Sequence, residues 1–374
     1  MGQVDMGIAG ARNETRTGGD VGPTAIYALA THLPANRKHD NLLGPVVRSA
    51  NNHLFQPAGR FSRPSVVSRG VTRLASPVYD APTAGDRERT ADLASLVVGK
   101  LVAAVPRAKG AVRAIFHSQC TLDQQLVGSG CLRIQDDYFG EATLSMMIGQ
   151  LGTAGIPTVF RLASLSLDSQ WLTCVSASDK WIAPFVRSVP GMLTYGDASA
   201  ACLAGAIRSE SAPIATIEHI VTSCVPPPGD LWSTPVAVQR QYLLDHVHAV
   251  IESLLSQCPD LERGELVSIG DGYGPCGLHS RDFAAEVAAA WSVEPVPNAC
   301  PDIHLSSASP LFALSRAVGL AVERGRELRA LIWTVSQAGH AGAMLVRAFP
   351  EAQRSDDAWV ALGMAATSTN ETGS

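Results

Sequence analysis

The sequence lacks the features that mark several classes of protein. No uninterrupted apolar stretch reaches about 18 residues, so no membrane-spanning helix is expected. Lys and Arg are scattered and the formal net charge is −5, which gives no electrostatic basis for binding nucleic acid. Residues 1–20 contain neither the basic nor the apolar segment of a signal peptide. These absences favour a cytoplasmic protein.

The cysteines also lack the spacing of a metal or redox site. None of the eight belongs to a CxxC pair, so neither a zinc site nor a redox motif is predicted. Most of them, such as Cys174 and Cys202, lie in apolar segments, where a free cysteine behaves as a small core residue. Cys120 differs because it follows a predicted strand, where active-site loops gather, and it is a minor candidate for catalysis.

Apolar spacing predicts strands alternating with helices in both halves of the 374 residues. The predicted strands are 24–30, 111–116, 156–162, 214–224, 265–269, 328–335 and 341–348. The predicted helices are 90–105, 141–151, 170–185, 236–258, 281–291 and 307–324. Between the first strand and the first helix, residues 36–86 are expected to be irregular. This alternation predicts an α/β fold with mixed sheets covered by helices.

Short motifs along the chain resemble those of one enzyme family. The string YGDASAA at 195–201 is similar to the family's FGDGAAA, HLSSASPL at 304–311 to its GNTSAAS loop, and AGHAGA at 338–343 to its last glycine-rich turn. Weaker echoes lie at 25–34, 68–73 and 90–94. In this order the motifs resemble the type III ketoacyl-ACP synthases of the thiolase superfamily.

The resemblance covers roughly residues 23 to 347 and implies the duplicated α-β-α-β-α thiolase fold. It divides the chain into a flexible tail (1–22), an N-terminal half (23–210), a C-terminal half (211–349) and a C-terminal tail (350–374).

The family's catalytic residues do not carry over. Family members use a cysteine, in the turn before a buried helix, to take the acyl group, while His and Asn hold the malonyl thioester. The turn assigned to that cysteine, 163–169, contains none. The histidine position falls on Gly270 or Asp271, and the asparagine position is occupied by His304. Decarboxylative condensation is therefore expected to be impaired.

Ser166 is the predicted nucleophile. Counting forward from the strand 156–162 places it at the cysteine position, whereas counting backward from Asp179 selects Asp168 instead. A helix that begins after this turn would stabilise an oxyanion beside Ser166. Serine and aspartate in such a turn also commonly cap the helix, so both interpretations stay open.

A serine nucleophile needs a base. His304 is the first candidate because its position lines the active site of the family, and His246 is the alternative. His279 and His340 are weaker candidates, since an arbitrary histidine is more often a surface or core group. Asp271 could orient such a histidine, although Asp-Gly is also an ordinary turn signal.

Four further residues are predicted to shape the substrate pocket: Gly196, Asp197, Gly339 and His340. Gly196 is expected to permit a close backbone approach. Asp197 is expected to fix the loop beside the pocket.

The resemblance extends to a small subgroup that carries serine for cysteine, the starter-unit proteins of anthracycline synthases. It implies a homodimeric acyltransferase of polyketide biosynthesis that takes a short acyl group from acyl-CoA. The acceptor would be an acyl carrier protein or a partner ketosynthase, and no cofactor is implied. Two alternatives stay open: a catalytically silent subunit that pairs with an active ketosynthase, and a ligand-binding regulator.

Overall fold

The computed structural model of the chain describes residues 22–38, 81–85, 87–121, 129–141, 143–164, 171–181, 188–189, 193–208, 211–229, 234–271, 280–300, 303–336, 338–355 and 358–361. The helices are α1 (Thr90–Ala104), α2 (Ala108–Ala111), α3 (Gly130–Ile134), α4 (Gly155–Ser164), α5 (Val236–Leu255), α6 (Ser280–Trp291) and α7 (Ser309–Arg324). Short 3-10 turns lie at Gly152–Ala154, Arg263–Glu265 and Ser306–Ala308, and a π turn at Gln135–Phe139.

The long strands are β1 (Thr24–His32), β4 (Val112–Gln119), β5 (Leu144–Gly149), β6 (Leu172–Asp179), β9 (Ala198–Gly205), β10 (Ala215–Cys224), β11 (Leu266–Asp271), β13 (Leu328–Val335) and β14 (His340–Ala348). The short strands are β2 (Arg37–Lys38), β3 (Ala81–Pro82), β7 (Ser188–Val189), β8 (Leu193–Thr194), β12 (Glu294–Pro295), β15 (Gln353–Ser355) and β16 (Ala358–Val360).

The main sheet consists of two halves with the same topology. One half has the order β5-β4-β6-β9-β1 and the other β12-β11-β13-β14-β10. In each half the first three strands are parallel neighbours and the last two are added antiparallel. The halves are joined where β1 pairs with β10. The structure therefore confirms an α/β fold, and its repeated strand order is the duplication that the resemblance implies.

The helices complete the layers. Helices α4 and α7 each contact strands of both half-sheets and so lie between them. Helix α1 covers the outer face of the N-terminal half-sheet, and α5 and α6 cover the outer face of the other. Part of the predicted C-terminal tail belongs to this core, because β16 pairs with β1.

Three consecutive elements were predicted wrongly. Residues 141–151 contain the strand β5 rather than a helix, residues 156–162 lie in the helix α4 rather than a strand, and residues 170–185 contain the strand β6 rather than a helix. The other predicted strands and helices are confirmed to within a few residues at their ends.

Burial explains these errors. Helix α4 contacts strands of both half-sheets, and its first residues form a short apolar run that is typical of a buried strand; Pro157 is tolerated because it lies in the first turn. Every residue of β6 is buried, so the strand shows no alternation. Strand β5 is a sheet edge, and its exposed apolar side chains imitate helical spacing.

A buried histidine shows how polar groups are accommodated in the N-terminal half. His117 on β4 is fully buried, with Nδ1 2.9 Å from Ser176 Oγ and Nε2 3.2 Å from Ser178 Oγ. Burial lowers the pKa of His117 from 6.5 to about 4, although the nearby Gln119 side chain opposes this shift. The imidazole is therefore neutral at pH 7.

This residue should make the fold sensitive to acid. The pKa of His117 is lower in the folded than in the unfolded chain. Its stabilising contribution to the free energy of unfolding is therefore complete above pH 6.5 and is lost as the pH falls towards 4. We expect His117 to account for about 2 kcal/mol of the loss in unfolding free energy between pH 7 and pH 5. Urea unfolding at both pH values should show a smaller loss in His117→Gln than in the unmodified protein. Equal losses in the two proteins would contradict the assignment.

Candidate active site

The candidate site lies where α4 begins. The carboxyl ends of β4 and β6 from one half-sheet and of β13 from the other reach this point, together with the turn Ser306–Ala308 before α7. Parallel strands of open α/β sheets present their binding sites at such ends. The loop into the helix carries two residues in the left-handed region, Gln150 (φ 62°) and Gly152 (φ 58°). The connection is therefore tight and strained at one non-glycine residue.

Close packing surrounds the start of α4. A Cβ at Gly152 would lie 2.6 Å from Ser336 Oγ, and one at Gly155 would overlap Ser118 Oγ. Thr153, which is fully buried, contacts the hydroxyl of Thr334 through its own hydroxyl. Residues 149–155 include neither cysteine nor serine, and the side-chain hydroxyl at the start of this helix is that of Thr153.

A thiol from the neighbouring strand lies beside this helix start. Cys120 follows β4, and Ser307 Oγ donates a hydrogen bond to its Sγ at 3.0 Å. Burial raises the pKa of the Cys120 thiol strongly and the carboxylate of Asp179 raises it further, while hydrogen bonds from Ser307 and from the backbone N–H of Gly152 lower it. The net shift is upward, so Cys120 is a protonated thiol at neutral pH.

Asp179, at the end of β6, connects these elements. Its Oδ1 accepts the backbone N–H groups of Cys120 at 2.8 Å and Thr121 at 2.7 Å, together with the Thr121 hydroxyl at 3.0 Å. Its Oδ2 accepts the backbone N–H of Ser307 at 2.8 Å. The side chain is fully buried, and burial raises its pKa despite these hydrogen bonds. One carboxylate thus fixes the end of β4 to the turn before α7.

His304, the first predicted base, lies next to this cluster. It is 5% exposed, and its Nδ1 accepts the backbone N–H of Ser306 at 3.0 Å. Its ring meets Tyr195 edge to face, with centroids 5.4 Å apart, and Tyr195 stacks on Trp181 at 3.8 Å. Trp181 Nε1 in turn donates to Ser306 Oγ at 3.1 Å. His304 therefore forms part of an aromatic wall that supports the turn.

Gly196 and Asp197 have the packing roles expected of them. A Cβ at Gly196 would lie 2.8 Å from Ile303 and 3.0 Å from Pro82. Asp197 is fully buried and accepts the backbone N–H groups of Ala84 and Trp181, each at 2.8 Å. Both residues hold the loop beside the site, and their role in binding substrate stays a prediction.

The other predicted residues lie at strand ends of the C-terminal half. A Cβ at Gly270 would overlap the Trp333 ring on the outer face of the half-sheet. Asp271 pairs with Thr334 in the sheet, so its backbone lies next to the residue that contacts the start of α4. Gly339 (φ 92°) lies in the turn before β14. His340 is the first residue of β14 and pairs with Cys224 of the neighbouring strand β10.

His246 lies elsewhere. It is 4% exposed on α5, in the layer that covers the outer face of the C-terminal half-sheet, whereas α4 packs on the opposite face. Burial and the nearby His340 lower its pKa to about 4. The structure does not bring His246 to the start of α4. His279 lies outside the described residues.

Ser166 also lies outside the described residues. The reasons for choosing it do not hold, because α4 ends at Ser164 and the segment 172–179 is a strand. No helix begins after this turn within the part of the chain that the structure describes, since 171 leads directly into β6. Sequence reasoning treated Cys120 as a minor candidate and used Asp179 only as an alignment landmark, whereas the structure brings the two together. A carboxylate as the last residue of a fully buried strand was the signal that could have pointed to this cluster.

Comparison with known proteins identifies the fold. No protein-family model matches the sequence, and no curated protein sequence matches it either. Among solved structures, the chain is similar to ChlB3, an acyltransferase, with 16% identity over 87% of this chain and 98% of that chain (TM-score 0.62). It is also similar to AbyA1, a tetronic acid condensing enzyme (13% identity, 87% and 99% covered, TM-score 0.59).

The Thermus thermophilus β-ketoacyl-ACP synthase III is similar to the same degree, with 15% identity, 86% and 98% covered and a TM-score of 0.59. The chain therefore has the thiolase-type fold of the ketoacyl-ACP synthase III enzymes. Among its described residues no group of three or more His, Cys, Asp or Glu could hold a metal ion, and no described helix is long and apolar enough to cross a membrane.

The crowding at Gly152 can be measured separately from its backbone conformation. Gly325 has nearly the same φ (60°), but nothing lies within 4 Å of a Cβ placed there. We expect Gly325→Ala to cost about 1 kcal/mol from φ alone. Gly152→Ala should cost about 1–3 kcal/mol more because it also meets Ser336. The added Ser336→Gly removes both the Oγ (2.6 Å) and the Cβ (2.9 Å) that a Cβ at Gly152 would meet. Relative to Ser336→Gly alone, it should recover most of that excess in thermal unfolding; equal costs at the two glycines would contradict the packing described.

Proposed function

We propose that the protein is a ketoacyl-ACP synthase III-like acyltransferase of polyketide biosynthesis in which Cys120 accepts a short acyl group. The observation that carries the proposal is the thiol of Cys120 beside the first turn of α4, with Ser307 Oγ at 3.0 Å. The fold supports it, as do the acyltransferase and condensing-enzyme names of similar structures. Acyl-CoA is the proposed donor and an acyl carrier protein the proposed acceptor.

The proposed reaction is two thioester exchanges. Cys120 Sγ forms a bond to the acyl carbon, the bond from that carbon to the CoA sulfur breaks, and the Cys120 proton leaves on the CoA thiol. The pantetheine thiol of the carrier protein then takes the acyl group and returns a proton to Cys120. Backbone N–H groups at the start of α4 are placed to stabilise the oxyanion of each step.

Condensation is not proposed. The family holds the malonyl group with His and Asn, and those positions correspond here to Gly270 or Asp271 and to His304. The raised pKa of Cys120 also implies slow acylation, because thiolate is the reactive form. The rate of acylation should therefore keep increasing with pH above neutrality.

Covalent labelling tests the proposal. We expect radiolabelled acetyl-CoA to label the protein and Cys120→Ala to lose at least about 90% of the label. Cys224→Ala, which removes an exposed thiol at the end of β10, should retain it. Ser166→Ala tests the sequence-based candidate in the same assay. Label that survives Cys120→Ala but not Ser166→Ala would restore the serine, and no label in any of the proteins would reject acyl transfer.

A second candidate function is a silent partner that pairs with a ketosynthase, or with itself, through β5. This strand is an edge of the sheet in the described part of the chain, where it pairs with β4 alone. Leu144, Met146 and Met147 on it are 57%, 42% and 47% exposed. An uncharged, apolar edge strand is a ready surface for pairing with another chain. Pairing of two copies is compatible with the acyltransferase as well.

Charge on this edge tests the pairing. Leu144 and Met146 lie on one face of β5 because side chains alternate along a strand. We expect Leu144→Lys combined with Met146→Lys to convert dimers to monomers in light scattering, since lysine at a strand edge opposes pairing. Val238→Lys on α5, also an exposed apolar residue (45%), is the control and should leave the mass unchanged. Dimers that persist in the double variant would exclude β5 as the interface.

A further inference from the structure

The charge on Asp179 is unusual for its surroundings. Its four hydrogen bonds come from three backbone N–H groups and one hydroxyl, all of them neutral. The adjacent Lys180 turns its ammonium away, towards the carbonyl oxygens of Gly85 and Glu88. None of the ion pairs among the described residues involves Asp179. Within the part of the chain that the structure describes, the partners of this carboxylate are therefore dipoles rather than a cation, and burial raises its pKa.

The carboxylate lies directly against the Cys120 segment. It accepts the backbone N–H of Cys120 itself at 2.8 Å and that of Ser307, the residue whose hydroxyl donates to Cys120 Sγ. The same group thus fixes both the thiol and the donor to that thiol. A second negative charge on the sulfur at this distance would be repelled in a buried, weakly screened site.

Other titratable groups lie close to the cluster. Lys180 is engaged with the two carbonyls, His304 accepts the N–H of Ser306 through Nδ1, and the backbone of Asp271 pairs with Thr334. Asp179 is the group among these that is hydrogen bonded to both Cys120 and Ser307.

We propose that Asp179 is a positioning residue that holds Cys120 against Ser307 and the start of α4, and that its charge keeps the sulfur protonated. A thiol kept in this form reacts poorly with electrophiles in general, which is consistent with the slow acylation expected of Cys120. The inference rests on the proposed function only for the catalytic use of Cys120. The effect of Asp179 on the reactivity of the Cys120 thiol does not depend on that catalytic use.

Alkylation kinetics test the inference. The rate at which iodoacetamide modifies Cys120 is followed by peptide mass spectrometry from pH 6 to 10, with exposed Cys224 as the internal reference. Asp179→Asn removes the charge and keeps the shape. We expect it to raise the rate at pH 8 by about threefold to tenfold, because removing the charge lowers the pKa of Cys120.

Two control variants separate charge from packing. Thr121→Val removes one hydrogen bond to Asp179 and leaves the charge in place. Asp197→Asn removes the neighbouring fully buried carboxylate, which accepts N–H groups of Ala84 and Trp181 instead. Both should leave the pH dependence of Cys120 alkylation unchanged. A similar acceleration in all three variants would reduce Asp179 to a packing role and overturn the inference.

If Asp179→Asn does not fold, the unmodified protein decides. A Cys120 rate that levels off by pH 9 overturns the inference. The acetyl-CoA labelling is read separately. If acetyl-CoA does not label the protein but Asp179→Asn accelerates alkylation, acyl transfer is rejected and the role of Asp179 is retained. If acetyl-CoA labels Cys120 but Asp179→Asn does not accelerate alkylation, acyl transfer is retained and the role of Asp179 is rejected.

Discussion

The enclosure of α4 between two half-sheets is the constraint on which the rest of the structure depends. A helix covered on both sides cannot expose its first backbone N–H groups to bulk water, so the loop and strand ends around them must supply the partners. The start of α4 packs closely against the side chains of Ser118, Thr334 and Ser336. This packing leaves no room for a Cβ at Gly152 or Gly155.

The same enclosure sets the electrostatics of the site. Removing water raises the cost of charge on every group near α4, which is why the pKa values of both Cys120 and Asp179 are raised. A thiol in these surroundings is a different chemical group from the thiolate of an ordinary ketosynthase. The chain keeps the fold of the condensing enzymes, while the thiol of Cys120, directly after β4, is held in the neutral form.

Much of the fold could be predicted from the sequence because most elements carry their own signals. The amphipathic helix α1, the apolar strands β13 and β14 and the motif before β9 all have distinct patterns. The segment 141–185 has no such pattern, because β6 is buried along its whole length and the exposed side chains of the edge strand β5 are apolar. The position of Ser166 was predicted by counting along this segment. Because a helix there was taken for a strand, the predicted nucleophile fell after the end of α4 rather than at its start.

The site was predictable only in part for a related reason. His304, Gly196 and Asp197 follow recognisable motifs and lie where the resemblance implies. Cys120 and Asp179 are brought together by the pairing of β4 with β6, and no local pattern in the sequence reports that pairing.

The pairing of β1 has a consequence for how the polypeptide acquires its structure. This strand, near the beginning of the chain, lies between β9 on one side and both β10 and β16 on the other. Residue 28 therefore meets its neighbour at 360 only after almost the whole chain has left the ribosome. Contacts so distant in sequence slow folding, and until they form the nascent N-terminal half carries an incomplete sheet edge that chaperones would have to shield.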